Sequence, residues 1–218
     1  MKHKKELSLS VACFLLAVLC SMIWWNTREE NLAGQISPHI LRFHVLANSN
    51  SAKDQELKLE VKHFLLDNLS QVPELTAAET KEDFCKYILK QKVHLEDIAE
   101  DFIRARGYAY PVAIAVTETY FPTKAYGDIV LPCGNYDAVQ VRLGRGKGRN
   151  WWCVLYPRLC FVDVTHAIVP DASKLQLQRL LAADDYEALL DKRNIKLNIC
   201  FKLAELPEFI TGLVSQSP

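Results

Sequence analysis

The feature that most constrains this 218-residue chain is an uncharged apolar run close to its start. After Met1-Lys2-His3-Lys4-Lys5-Glu6, the stretch Leu7 to Trp25 holds no charged side chain and is interrupted only by Ser8, Ser10 and Ser21. Its 19 residues approach the roughly 20 that a helix needs to cross a bilayer. A charged start followed by such a run directs export. Lys2, Lys4 and Lys5 precede it, whereas Arg28 beyond it is set against Glu29 and Glu30. Lysine and arginine excess stays on the cytoplasmic side, so the order predicted is N-in, C-out. Trp24 and Trp25 stand where an interfacial aromatic belt would anchor. No A-x-A cleavage site follows, and Leu19 before Cys20 is too large for the usual lipidation pattern. A retained transmembrane anchor and a removed signal both fit these residues.

Beyond residue 25 the chain carries 23 basic and 25 acidic residues, a net charge of −2, and no basic surplus points to nucleic acid. Residues 26–37 are polar, with Gly34 and Ser37, and read as a linker; 38–214 then have the length of a single domain. Of seven cysteines, Cys13 and Cys20 belong to the apolar run. Cys85, Cys133, Cys153, Cys160 and Cys200 remain, in a compartment that permits disulfides. Five is odd, so at least one stays free or pairs between chains. Cys153 and Cys160 enclose six residues, and a disulfide closing that loop is feasible; the alternative is two small buried hydrophobes. No C-x-x-C pair suggests structural zinc.

The periodicities outline an α/β (α+β) fold. Leu41, Phe43 and Val45 alternate with Arg42 and His44, which predicts a strand with one apolar and one polar face. Ser51 and Asp54 start an amphipathic helix over 52–69. Thr76 with Glu79 reads as a second capping box, and the apolar stripe from Phe84 to Phe102 predicts two helices meeting near Gln91–His94, with Gly107 as the stop. Residues 112–117 are apolar or small on both faces, which suits a central strand. Residues 121–134 read as a loop, Tyr136–Leu143 as a strand, Gly144–Asn150 as a flexible hairpin turn and Trp151–Tyr156 as a further strand. Two helices over 173–190, a closing strand over 196–203 with Cys200 outward, and a helical turn in 208–214 complete a mostly antiparallel sheet with helices packed on it.

Few residues in this pattern promise catalysis. The Gly144–Gly148 turn lacks the order G-x-x-x-x-G-K-[ST] of a phosphate loop. Asp163 and His166 lie close together, and Cys153 or Cys160 with His166 defines the rival reading, a cell-envelope hydrolase; no nucleophile motif surrounds either cysteine. His39, His44, His63 and His94 show no metal-site spacing. No catalytic, cofactor or metal residue is therefore assigned. The densest feature is an aromatic and cationic segment holding Arg145, Lys147, Arg149, Trp151, Trp152, Tyr156 and Arg158, the residue types from which binding hot spots are built. Trp151 and Trp152 are adjacent on a strand and must face opposite ways.

The strings Phe121-Pro122-Thr123-Lys124-Ala125-Tyr126-Gly127, Leu131-Pro132-Cys133-Gly134-Asn135-Tyr136, Gly146-Lys147-Gly148-Arg149-Asn150-Trp151-Trp152-Cys153-Val154 and Pro157-Arg158-Leu159-Cys160-Phe161-Val162 resemble stage II sporulation protein R of endospore-forming bacteria. Leu41-Arg42-Phe43-His44-Val45-Leu46-Ala47-Asn48-Ser49 also matches, and the resemblance spans about 38–205. It departs at Cys133, where many relatives carry a small residue. The resemblance implies a signal and not a catalyst. Such a protein is exported from the forespore into the space facing the mother cell. There it triggers a membrane-embedded aspartic protease, stage II sporulation protein GA, which cleaves the sigma-E precursor. The resemblance supplies no catalytic residues.

Overall fold

The computed structural model describes residues 2–160, Val169 and 171–190. Asp163, His166 and Cys200, with the expected strand over 196–203 and the turn in 208–214, lie outside the described residues. In chain order the elements are α1 (Lys2–Ile36), a 3-10 turn (Ser37–His39), β1 (Leu41–Leu46), α2 (Ala52–Ser70), α3 (Pro73–Thr76), α4 (Lys81–Arg104), β2 (Val112–Phe121), β3 (Lys124–Tyr126), β4 (Ile129–Leu131), β5 (Gly134–Leu143), β6 (Asn150–Tyr156), α5 (Asp171–Leu180) and α6 (Ala183–Leu189). An α+β fold results, with a mixed sheet ordered β2-β5-β1-β6. β1 runs parallel to β5 and antiparallel to β6, and β2 is antiparallel to β5.

Each face of the sheet closes its own core. Leu57, Val61 and Leu65 of α2 and Phe84, Ile88 and Ile103 of α4 pack on Phe43, Val45, Val139 and Val141. On the opposite face, Ala138, Tyr136 and Val154 meet Ala33 and Ile36 of α1, the β3–β4 hairpin, and Leu177 and Leu189 of α5 and α6. Residues 26–37, expected as a linker, are therefore helical to Ile36 and part of this second core. The sequence explains why: Arg28 to Leu32 favour helix, and no proline intervenes before Pro38. The approach of α1 to the sheet is close, because a Cβ at Gly134 would collide with the Ala33 methyl. Lys81 fastens the junction, its Nζ donating to Ser37 O (3.1 Å) and to Asp137 Oδ2 (2.7 Å).

Several local expectations are corrected. α4 is one unbroken helix, because no glycine or proline lies between Lys81 and Arg104 and one apolar stripe runs its whole length. Its capping box is Thr80 with Asp83, while Thr76 ends the short α3. Gly107 does follow the stop, at φ +83°. β2 is an edge strand; its apolar character reflects α4 lying beside it, whose Glu100 and Glu96 accept from Val112 N (3.0 Å) and Ile114 N (2.7 Å). Those carboxylates occupy edge donors that would otherwise template pairing with another chain. The expected loop over 121–134 contains the β3–β4 hairpin.

Removing the α1 segment should expose the second core. Burying Ile36 alone is worth about 2 kcal/mol. A chain starting at Asn26 is predicted to keep its melting temperature, and one starting at Pro38 to lose roughly 10 °C. Equal thermal transitions in the two truncations would contradict the docking of α1.

Candidate partner-binding site

The segment from Gly144 to Arg149 joins β5 to β6, which are separated by β1, so it is a crossover over the C-terminal end of β1 and not a hairpin. It is fastened there by backbone bonds: Gly148 N donates to Ala47 O (2.8 Å) and Lys147 N to Asn48 O (3.3 Å). Arg145 N donates to Asn48 Oδ1 (3.1 Å), and Arg149 N to Asn50 Oδ1 (2.7 Å). Gly144 (φ +55°) and Gly146 (φ +62°) take left-handed conformations that glycine adopts without strain. A Cβ at Gly148 would run into the Ser49 carbonyl. The glycines thus let the crossover lie against Ala47–Asn50, while the intervening Arg145, Lys147 and Arg149 project into solvent.

Two lysines of α2 stand behind these cations. Lys58 is 5% exposed and Lys62 6% exposed. Lys58 Nζ donates to Gln55 Oε1 (2.8 Å) and to Arg149 O (3.1 Å). Burial pushes its pKa down and the Arg149 charge adds to that shift. Lys62 Nζ sits 4.7 Å from the Trp151 ring centroid. Burial lowers its pKa too, with Asp67 partly opposing. The nearby acid, Asp54, is already engaged by Ser49 (2.5 Å), Asn48 (3.0 Å) and Tyr110 (3.2 Å). Burial works to raise its pKa, and these bonds more than offset it, leaving the carboxyl below the usual range.

The seven residues singled out from sequence do not form one surface. Arg145, Lys147, Arg149 and Trp151 gather at this end of the sheet. Trp152 faces the other core, stacked on His44 (3.9 Å, 20°). Both tryptophans are half-buried, because helices cover both sheet faces. Tyr156 is buried, its hydroxyl donating to Glu79 O; it belongs to the core and offers nothing to a docking partner. Arg158 lies beyond Tyr156, donating to Thr76 Oγ1 (3.2 Å), and the strand puts roughly 20 Å between Asn150 and Tyr156.

Arg42 and His44, expected on a polar face, are 0% and 3% exposed. The Arg42 guanidinium lies 4.3 Å from the Phe121 ring and 4.8 Å from that of Tyr136, and donates to the Tyr126 hydroxyl (3.2 Å). Cations held over aromatic faces recover part of the lost hydration. Its Nε and Nη1, and both His44 ring nitrogens, have no hydrogen-bond partner among the described residues. Asn150 opposes the His44 shift without making a well-formed bond; burial dominates and puts the pKa below 6.5.

Cys153 and Cys160 form a disulfide, so neither is a thiolate nucleophile in this state. Cys133 is disulfide-bonded as well, and Cys85 is free. Among the described residues no group of three His, Cys, Asp or Glu side chains could hold a metal ion.

These features describe an α+β domain carried behind an N-terminal apolar helix, with a rigid cationic end. The family model for stage II sporulation protein R matches residues 37–166. Stage II sporulation protein R of Bacillus subtilis (strain 168) is 31% identical over 173 residues, 76% of this chain and 75% of that protein. The chain belongs to the stage II sporulation protein R family. No solved structure matches it.

His44 makes stability pH-dependent with a definite sign. Below about pH 6.5 the unfolded chain takes up a proton that the folded state resists, so this contribution is whole above pH 6.5 and is lost as pH falls. Urea midpoints at pH 7.5 and 5.5 should drop more for the wild type than for His44→Phe. Identical drops would contradict a buried neutral imidazole.

Proposed function

We propose that this chain is the exported intercellular signal of endospore formation that activates a membrane-embedded aspartic protease, stage II sporulation protein GA, in the mother-cell membrane and so brings about cleavage of the sigma-E precursor. The observation that carries this reading is family membership over the folded domain, joined to an apolar helix ahead of it that fits a signal or a membrane anchor. The chain would leave the forespore for the intermembrane space, either released after cleavage or tethered by α1. A ligand shifts a receptor only by binding its active state more tightly than its inactive one. The cationic end of the sheet supports such a contact, being exposed at its rim yet fixed in shape by Asn48 and Asn50.

The test is reconstitution in a non-sporulating host that expresses the protease and the sigma precursor. The full chain should produce processed sigma factor, and the same chain without residues 1–25, left in the cytoplasm, should not. Processing by the unexported form, or none by the exported form, contradicts the proposal.

A further inference from the structure

α1 and the sheet share a direction. Asn26 Oδ1 lies 3.8 Å from Cys133 Sγ, and Glu30 accepts from Tyr120 (3.4 Å) opposite the start of β5. Ala33 abuts Gly134, and Ser37 reaches the Lys81–Asp137 pair. Descending α1 from Asn26 to Ser37 therefore follows β5 from Cys133 to Asp137. The rest of β5 continues the same way to Leu143 and the Arg145–Arg149 crossover. α1 contributes about 16 Å between Trp25 and Ile36, and β5 about 20 Å between Asp137 and Leu143. With α1 embedded to Trp25, the crossover stands up to roughly 35 Å from that bilayer, at the end of the domain opposite the anchor.

At that distal end the acid Asp54 is engaged by Ser49, Asn48 and Tyr110 and not by the cations. None of Lys58, Lys62, Arg145, Lys147 and Arg149 enters a salt bridge among the described residues. Lys58 and Lys62 are more than nine-tenths buried there, an arrangement that costs hydration without a neutralising partner. Cations alone hold an anionic bilayer surface weakly, and firm binding adds an apolar side chain free to enter it. Trp151 is not free: it packs edge-on against Phe43 (6.0 Å, 81°) and under Lys62. Carboxylates on a polypeptide suit the site better, since they can meet the exposed Arg145, Lys147 and Arg149 while Lys58 and Lys62 add positive charge from behind.

We propose that Lys58, Lys62, Arg145, Lys147 and Arg149 form a membrane-distal receiving site for an acidic polypeptide segment of the partner. This rests on the reading that the chain acts by binding another protein, and it adds which end binds and the chemistry it binds.

The full chain in phosphatidylcholine nanodiscs should bind a fluorescein-labelled deca-glutamate peptide by anisotropy, at least about tenfold more weakly at 300 mM than at 50 mM salt. Lys147→Glu with Arg149→Glu should lose about tenfold or more, and Lys62→Met, which keeps the packing on Trp151, should lose part of it. Arg104→Glu, on α4, should bind as the wild type does, and unchanged melting temperatures exclude misfolding. Absence of peptide binding, equal binding by the double variant, or capture of phosphatidylglycerol vesicles with no binding of the peptide would each overturn the site. The reconstitution separates the two ideas. Processing driven normally by the double variant removes the site and leaves the signalling reading. A wild type that binds the peptide as described yet drives no processing removes the signalling reading and leaves the site.

Discussion

The docking of the last three turns of α1 onto the sheet is the interaction on which the remaining structure depends. Arg42 and His44 project from β1 into the face that Ala33 and Ile36 help close. Without that cover a guanidinium and an imidazole would be hydrated, and the aromatic box of Phe121, Tyr126 and Tyr136 would stand open. With it, the apolar N-terminal helix and the sheet that carries the cationic end become one body. The second core is a consequence of one helix continuing past Trp25 to Ile36 instead of fraying into a linker.

The distal end shows the complementary use of rigidity. Its backbone is fixed by Asn48 and Asn50 and by three glycines at sites where bulk or backbone conformation excludes side chains. Among the described residues its lysine and arginine side chains enter no salt bridge. A flexible loop would lose entropy on ordering around a partner; this crossover is already ordered. Burying Lys58 and Lys62 costs hydration that Gln55, the Arg149 carbonyl and the Trp151 ring offset in part.

Much of this was legible in the sequence, and the failures share a cause. Period-two alternation in β1 identified the strand and grouped Arg42 with His44. It cannot say what covers a face, so both were expected only on a polar face, and that face proves to be buried. The small residues of β2 implied burial, but an edge strand shielded by the Glu96 and Glu100 helix has the same composition as a central one. Thr76 and Thr80 both head motifs of capping spacing; Pro73 starts a short helix that consumes Thr76, leaving Thr80 to begin α4. The opposite facing of Trp151 and Trp152, and the feasibility of joining Cys153 to Cys160, follow from strand geometry and loop length and hold in the structure. Tyr156 and Arg158 stand apart from the cations because nearness along a strand is not nearness in space: each residue advances about 3.4 Å. Lys58 and Lys62 escaped notice because they read as the polar side of an amphipathic helix. Their spacing at i and i+4, one turn apart and 91 residues before Arg149 in the case of Lys58, gives no local sign of that neighbour.

Amide hydrogen exchange over residues 30–36 in the full chain is the most direct measurement. If α1 is part of the domain, these amides exchange as slowly as those of β1 and β5, and Arg42→Ala, which opens the aromatic box, accelerates them. Exchange at the rate of a free peptide while β1 and β5 stay protected would show a loose leader attached to an independent domain, and the account would be wrong.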